Sequence, residues 1–202
     1  MPRSATITYD DLLARVEDLV ASMGRPPVIG ICGHGGAGKS TLAAHLVTDV
    51  GGRPEQVVPT DRFYAVGAGP ASGLFELHDW PALLDVLHRL RSAPQADRLV
   101  YPVRTYDGAE RTCDVPMPPA VVVEGIRLLR PETVPLLDLA VWIDLSPEAA
   151  GLRAVDRNRH QGDSPAELDL WRTKWVPEGR AYAAAIHPDR LADVVLAAAG
   201  LR

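Results

Sequence analysis

The chain has 202 residues, 47% of them hydrophobic and 23% charged, which is enough for one well-buried α/β domain and short for a second. A formal net charge of -5 argues against a nucleic-acid or anionic-membrane surface, because either partner needs a basic face. Cys32 and Cys113 are too few for a disulfide framework or a zinc cluster and are expected to be reduced, and the six histidines are scattered.

No stretch approaches the roughly 18 apolar residues of a membrane span. Met1-Pro2-Arg3-Ser4 lead into a polar and apolar helical pattern, so a cytoplasmic location without membrane contact is expected. Residues 8 to 22 set Leu12, Leu13, Val16, Leu19 and Val20 on one face behind Asp10 and Asp11, the pattern of a packing helix. Val28-Ile29-Gly30-Ile31-Cys32, after Pro26-Pro27, reads as a buried parallel strand.

The strand runs into Gly33-His34-Gly35-Gly36-Ala37-Gly38-Lys39-Ser40, which fits G-x-x-x-x-G-K-[ST] with Gly33, Gly38, Lys39 and Ser40 at the fixed places. Glycines let backbone N–H groups approach phosphate oxygens where a Cβ would collide. Lys39 can reach the β- and γ-phosphates of ATP, Ser40 can offer its hydroxyl to Mg²⁺, and the helix that follows presents its positive end to the anion. Gly33 through Thr41 are therefore the candidate phosphate contacts, and Gly51-Gly52 ends the helix.

Gln56-Val57-Val58-Pro59-Thr60 reads as a second strand that delivers Asp61 to its carboxyl end, where open parallel sheets bind ligands. A carboxylate there can take the proton of an attacking hydroxyl or hold magnesium; the plainer role is to cap a turn. A phosphate loop, a strand, and then Asp61-Arg62-Phe63-Tyr64 resemble the uridine kinase-like family of P-loop kinases, and the resemblance runs from about Val28 to Leu196. It implies that Asp61 is the catalytic base.

Residues 65 to 115 form the expected acceptor insert. Leu77-His78-Asp79-Trp80-Pro81 precede a helix carrying Leu83, Leu84, Val86, Leu87 and Leu90. Asp79 suits an N-cap by position, whereas the resemblance implies contact with ribose hydroxyls. Leu99 to Val115 alternate as a hairpin with Asp107-Gly108 at its turn. Tyr106 stands where the family packs a tyrosine on its nucleoside, but the later pyrimidine-contacting histidine is absent, with Gly108, Ala109, Glu110 and Arg111 in that stretch. The candidate acceptor contacts are Tyr64, Asp79, Tyr106 and Arg111.

Ala120-Val121-Val122-Val123-Glu124-Gly125 reads as a central strand ending in a carboxylate, and the similar family motif implies a magnesium ligand at Glu124 beside Ser40 and Asp61. Leu139 to Asp144 is a further strand, and Ser146-Pro147-Glu148 starts a helix that carries Arg153, Arg157 and Arg159 to a break at residues 161 to 165. Those bases can answer the helix dipole; the resemblance implies a lid over about 156 to 166, with Arg157 and Arg159 stabilising charge in transit. Trp171 and Trp175, four apart, are expected in the core, and Ala192 to Leu196 as the last strand; its Ala-Asp-Val start resembles the family's closing pattern, and the resemblance implies the adenine nearby.

The expected fold is a three-layer P-loop α/β sandwich over residues 1 to 202, with about five parallel strands and helices on both faces. The resemblance implies transfer of the γ-phosphate of ATP, with Mg²⁺, to a hydroxyl of a small molecule, a uridine- or cytidine-like nucleoside first and another alcohol such as a sugar, vitamin or antibiotic second. A nucleotide-driven switch is the rival from another class; the chain has no Asn-Lys-x-Asp motif, and the insert looks shaped for a pocket. The acceptor is the one expected partner, and self-association is left open.

Overall fold

A computed structural model of the chain describes residues 5–92 and 97–198, so the expectation for Met1-Pro2-Arg3-Ser4 lies outside the described residues. Strand β1 (Ala5–Ile7) leads into α1 (Tyr9–Ser22), whose start is fixed by a capping box between Thr8 and Asp11. The strand–loop–helix unit follows as β2 (Val28–Cys32) and α2 (Lys39–Asp49), then β3 (Val58–Pro59) and α3 (Trp80–Ser92). β4 (Arg98–Arg104) and β5 (Glu110–Pro116) form a separate antiparallel hairpin. Beyond it come β6 (Val121–Gly125), β7 (Leu139–Asp144), α4 (Pro147–Gln161), α5 (Pro165–Leu170), α6 (Val176–Ile186), α7 (Pro188–Leu191) and β8 (Val194–Ala197).

The main sheet is parallel throughout, in the order β1-β8-β7-β2-β6-β3. It has six strands rather than about five, because the three residues of β1 add an edge by pairing with β8. The second strand is also shorter than expected: only Val58 and Pro59 pair with β6, and Thr60–Arg62 turn into a single 3₁₀ turn that carries Asp61.

Every residue of β2 and β6 is buried, as strands covered on both faces require. Ile29 and Ile31 point to one core with Leu12, Val16, Leu42 and Leu46 of α1 and α2; Val28 and Cys32 point to the other with Leu83, Val86 and Leu87 of α3 and Tyr182 of α6. Asp138 ties the start of this layer together, accepting two bonds from Arg25 and one from the Val28 N–H. Among the described residues no helix is long and apolar enough to cross a membrane.

Candidate phosphate-loop site

The carboxyl ends of β2, β6 and β3 are neighbours, and pairing sets Glu124 of β6 level with Ile31 and Pro59. A cleft of about 220 Å³ opens there, lined by Gly33 to Gly36, Lys39, Ser40, Asp61, Tyr64, Glu124 and Arg157, among others. Sequence separation is large, yet topology alone brings the loop and both carboxylates to one place.

The loop is pressed against its surroundings. Gly36 has φ +90, and a Cβ there would fall 2.1 Å from the Ala150 carbonyl oxygen of α4. A Cβ on Gly35 would lie 2.8 Å from the Trp171 ring. Ala37 turns its methyl into the core, and Ala37, Gly38 and Thr41 do not line the cleft. Lys39 Nζ donates to the His34 carbonyl oxygen at 3.1 Å.

His34 is buried edge-on against Trp142. Burial first, and the Lys39 charge second, push its pKa down to about 4. The unfolded chain binds this proton near 6.5 and the folded chain only near 4, so the stability it confers is complete above pH 6.5 and drains away as pH falls toward 4, by at most about 3 kcal/mol. Urea unfolding at pH 7.5 and 4.5 should therefore show a larger acid loss in the wild type than in His34→Gln; equal losses would remove His34 from the account.

Ser40 Oγ donates to Glu124 Oε1 at 2.9 Å. Burial raises the Glu124 pKa, Lys39 and Ser40 pull against it, and the negative charge of Asp61 raises it further. A buried carboxylate that needs positive charge, next to a hydroxyl, is an oxygen set that fits Mg²⁺. Among the described residues no group of three or more His, Cys, Asp or Glu could hold a metal, so a cation here would draw its other ligands from phosphate and water.

Asp61 projects into the cleft with its side chain 66% exposed. What burial it has works to raise its pKa, but the His78 hydrogen bond and the His78, Lys39 and Arg157 charges outweigh this and hold it below the usual value. His78 Nε2 lies 3.3 Å from Asp61 Oδ1, and the imidazole is fixed by stacking on Tyr64.

Asp79 adopts the plainer of its two expected positions in part: Oδ1 accepts the Ala82 N–H as an N-cap, while Oδ2 lies 3.8 Å from Arg104. It lines a second cleft, of about 360 Å³, with Arg111 and Arg104. Tyr64 borders both clefts and meets the Tyr106 ring edge-on at 5.2 Å.

Of the two arginines expected in a lid, Arg157 lines this first cleft, whereas Arg159 is exposed and lies outside it. Residues two apart on a helix face opposite ways, so both could not reach one site. Trp171 and Trp175 correct the expectation of core packing: both are only half-buried and line the cleft from a π-helical turn, Trp171–Trp175. Three residues that sequence reasoning did not assign also belong here. They are His78, and the ion pair of buried Arg127 with half-buried Glu178, which Lys174 joins at 2.7 Å. Arg127 has φ 60, a strained backbone two residues after β6.

Sheet order, loop and carboxylates together define an α/β fold of the P-loop class. No family model matches the chain. A uridine kinase of Limosilactobacillus reuteri is 26% identical over 143 residues, 66% of this chain and 66% of its own length, so the matched part is about two thirds of that relative. A uridine kinase of Geobacillus kaustophilus is 27% identical over 189 residues, 85% of this chain and 90% of that one. A solved structure from Silicibacter sp. TM1040, provisionally named a fructose transport system kinase, shares the fold with a TM-score of 0.72 at 22% identity, over 94% of this chain and 98% of that one. The chain is uridine kinase-like, as its loop and Asp-x-Phe-Tyr stretch led one to expect.

Proposed function

We infer that this protein transfers the γ-phosphoryl group of ATP, as its magnesium complex, to a hydroxyl of a small molecule. One observation carries the reading: Ser40–Glu124 and Asp61 flank Lys39 in a single cleft, one carboxylate buried against a hydroxyl and the other open toward the acceptor side through Tyr64. In that arrangement Lys39 and the loop hold the phosphates, Ser40 and Glu124 hold the metal, and Asp61 receives the hydroxyl proton. Arg157 adds positive charge beside Asp61, where charge moves during transfer. The relatives' names support a nucleoside acceptor; the missing pyrimidine-contacting histidine supports a different alcohol.

Incubation with Mg-ATP and a panel of nucleosides and other alcohols should give ADP release that depends on one acceptor. ADP release indifferent to every acceptor would instead support a switch or assembly ATPase. In the same assay Arg157→Ala should lower kcat by about 10²-fold while Arg159→Ala stays within about threefold. Equal losses would mean that the helix end, not the cleft position, sets the effect.

A further inference from the structure

The hairpin carries one charge on its buried face. Directly opposed residues of an antiparallel pair share a face, and the pairs Leu99↔Val115, Tyr101↔Cys113 and Val103↔Arg111 put Arg111 in line with three side chains that are 1 to 2% exposed. The alternation calls for an apolar residue at position 111, yet a guanidinium stands there, exposed and lining the second cleft. Arg104 is held by Glu110 at 2.7 Å and lies near Asp79, and Arg62 donates to the Tyr101 hydroxyl. Among the described residues the Arg111 side chain has no hydrogen bond or ion pair within 4 Å; its field reaches the Asp107 carboxylate at the hairpin turn. Three arginines against Asp79 and Glu110 leave the cleft one positive charge in excess. Tyr64 joins this cleft to the one that holds Asp61.

We propose that the acceptor is an alcohol bearing an anionic group, a carboxylate or a phosphate ester, which Arg111 holds in the second cleft while the hydroxyl faces Asp61. The proposal rests on the kinase reading. A planar fork of N–H donors on a fixed strand suits either oxyanion, and Asp79 and Glu110 leave room for hydroxyl donors beside it. A neutral nucleoside gives Arg111 no counter-charge. The bland alternative is an inward-pointing charge that keeps an edge strand from pairing with other chains.

The test titrates glycerate, glycerol phosphate, glycerol and uridine into the full chain saturated with a non-hydrolysable Mg-ATP analogue, and follows backbone amide resonances. Glycerate, glycerol phosphate or both should shift the amides of Val103, Glu110 and Thr112, with glycerol and uridine at least tenfold weaker, and Arg111→Gln should abolish the preference. The two anionic arms distinguish carboxylate from phosphate. Equal binding of neutral and charged alcohols, no binding of either anion, or an unchanged preference in Arg111→Gln would overturn the proposal and leave Arg111 an edge guard. Failure of the analogue to shift residues 33 to 41 would sink the kinase reading separately, and with it the acceptor assignment, while the hairpin response would still decide whether Arg111 holds an anion.

Discussion

Lys39→Ala should reduce kcat/KM by about 10³-fold or more with the fold intact, because a preorganised cation aimed at a transferring phosphoryl group has no substitute in water. Lys39 is 8% exposed, and its Nζ is held across the loop by the His34 carbonyl. Its charge also opposes the upward shift of Glu124 and supports the low pKa of Asp61. Removing it therefore weakens phosphate binding and moves the Glu124 carboxyl toward its neutral form, a poorer metal ligand. Thermal melting should change by only a few degrees, since a single loop-facing side chain is lost from the first residue of α2. Steady-state rates and a melt on the same preparation check both halves; unchanged turnover would reject the reading.

The phosphate loop and the buried strands were legible because they are local. Val121 to Gly125 read as a strand from apolar run length alone, and the loop from fixed spacing. Strands of three and two residues, β1 and β3, carry no period; only pairing with β8 and β6 makes them strands. His78 was invisible as a partner of Asp61 because they lie 17 residues apart, across an insert closed by the isolated Tyr64–His78 bridge. The tryptophans show a different limit. Spacing of four says that Trp171 and Trp175 share a helical face, not what that face meets, and here it meets the phosphate loop at Gly35. Arg111 was named from its place in the hairpin, but that it shares a face with Leu99, Tyr101 and Val103 emerges only from the strand register.

Asp61→Asn and Glu124→Gln should fail in different ways, although both remove one negative charge from the same cleft. Asn keeps the shape of Asp61 and can still bond His78, but it has no basic oxygen, so the chemical step should fall by about 10²-fold or more while Mg-ATP binding persists. Glu124 is buried against Ser40, away from the acceptor side, and Gln there keeps a hydrogen bond to the hydroxyl while losing the charge that would attract a cation. Its rate should recover as magnesium is raised, with the half-maximal concentration shifted up by about tenfold or more, a change of roughly 1.4 kcal/mol in metal binding. Titrating magnesium against rate in both variants separates the two. A shifted metal requirement in Asp61→Asn with none in Glu124→Gln would exchange the roles, making the exposed carboxylate the metal ligand and the buried one the proton acceptor; that exchange would also demand that the acceptor enter past Ser40, on the side away from Tyr64 and the second cleft.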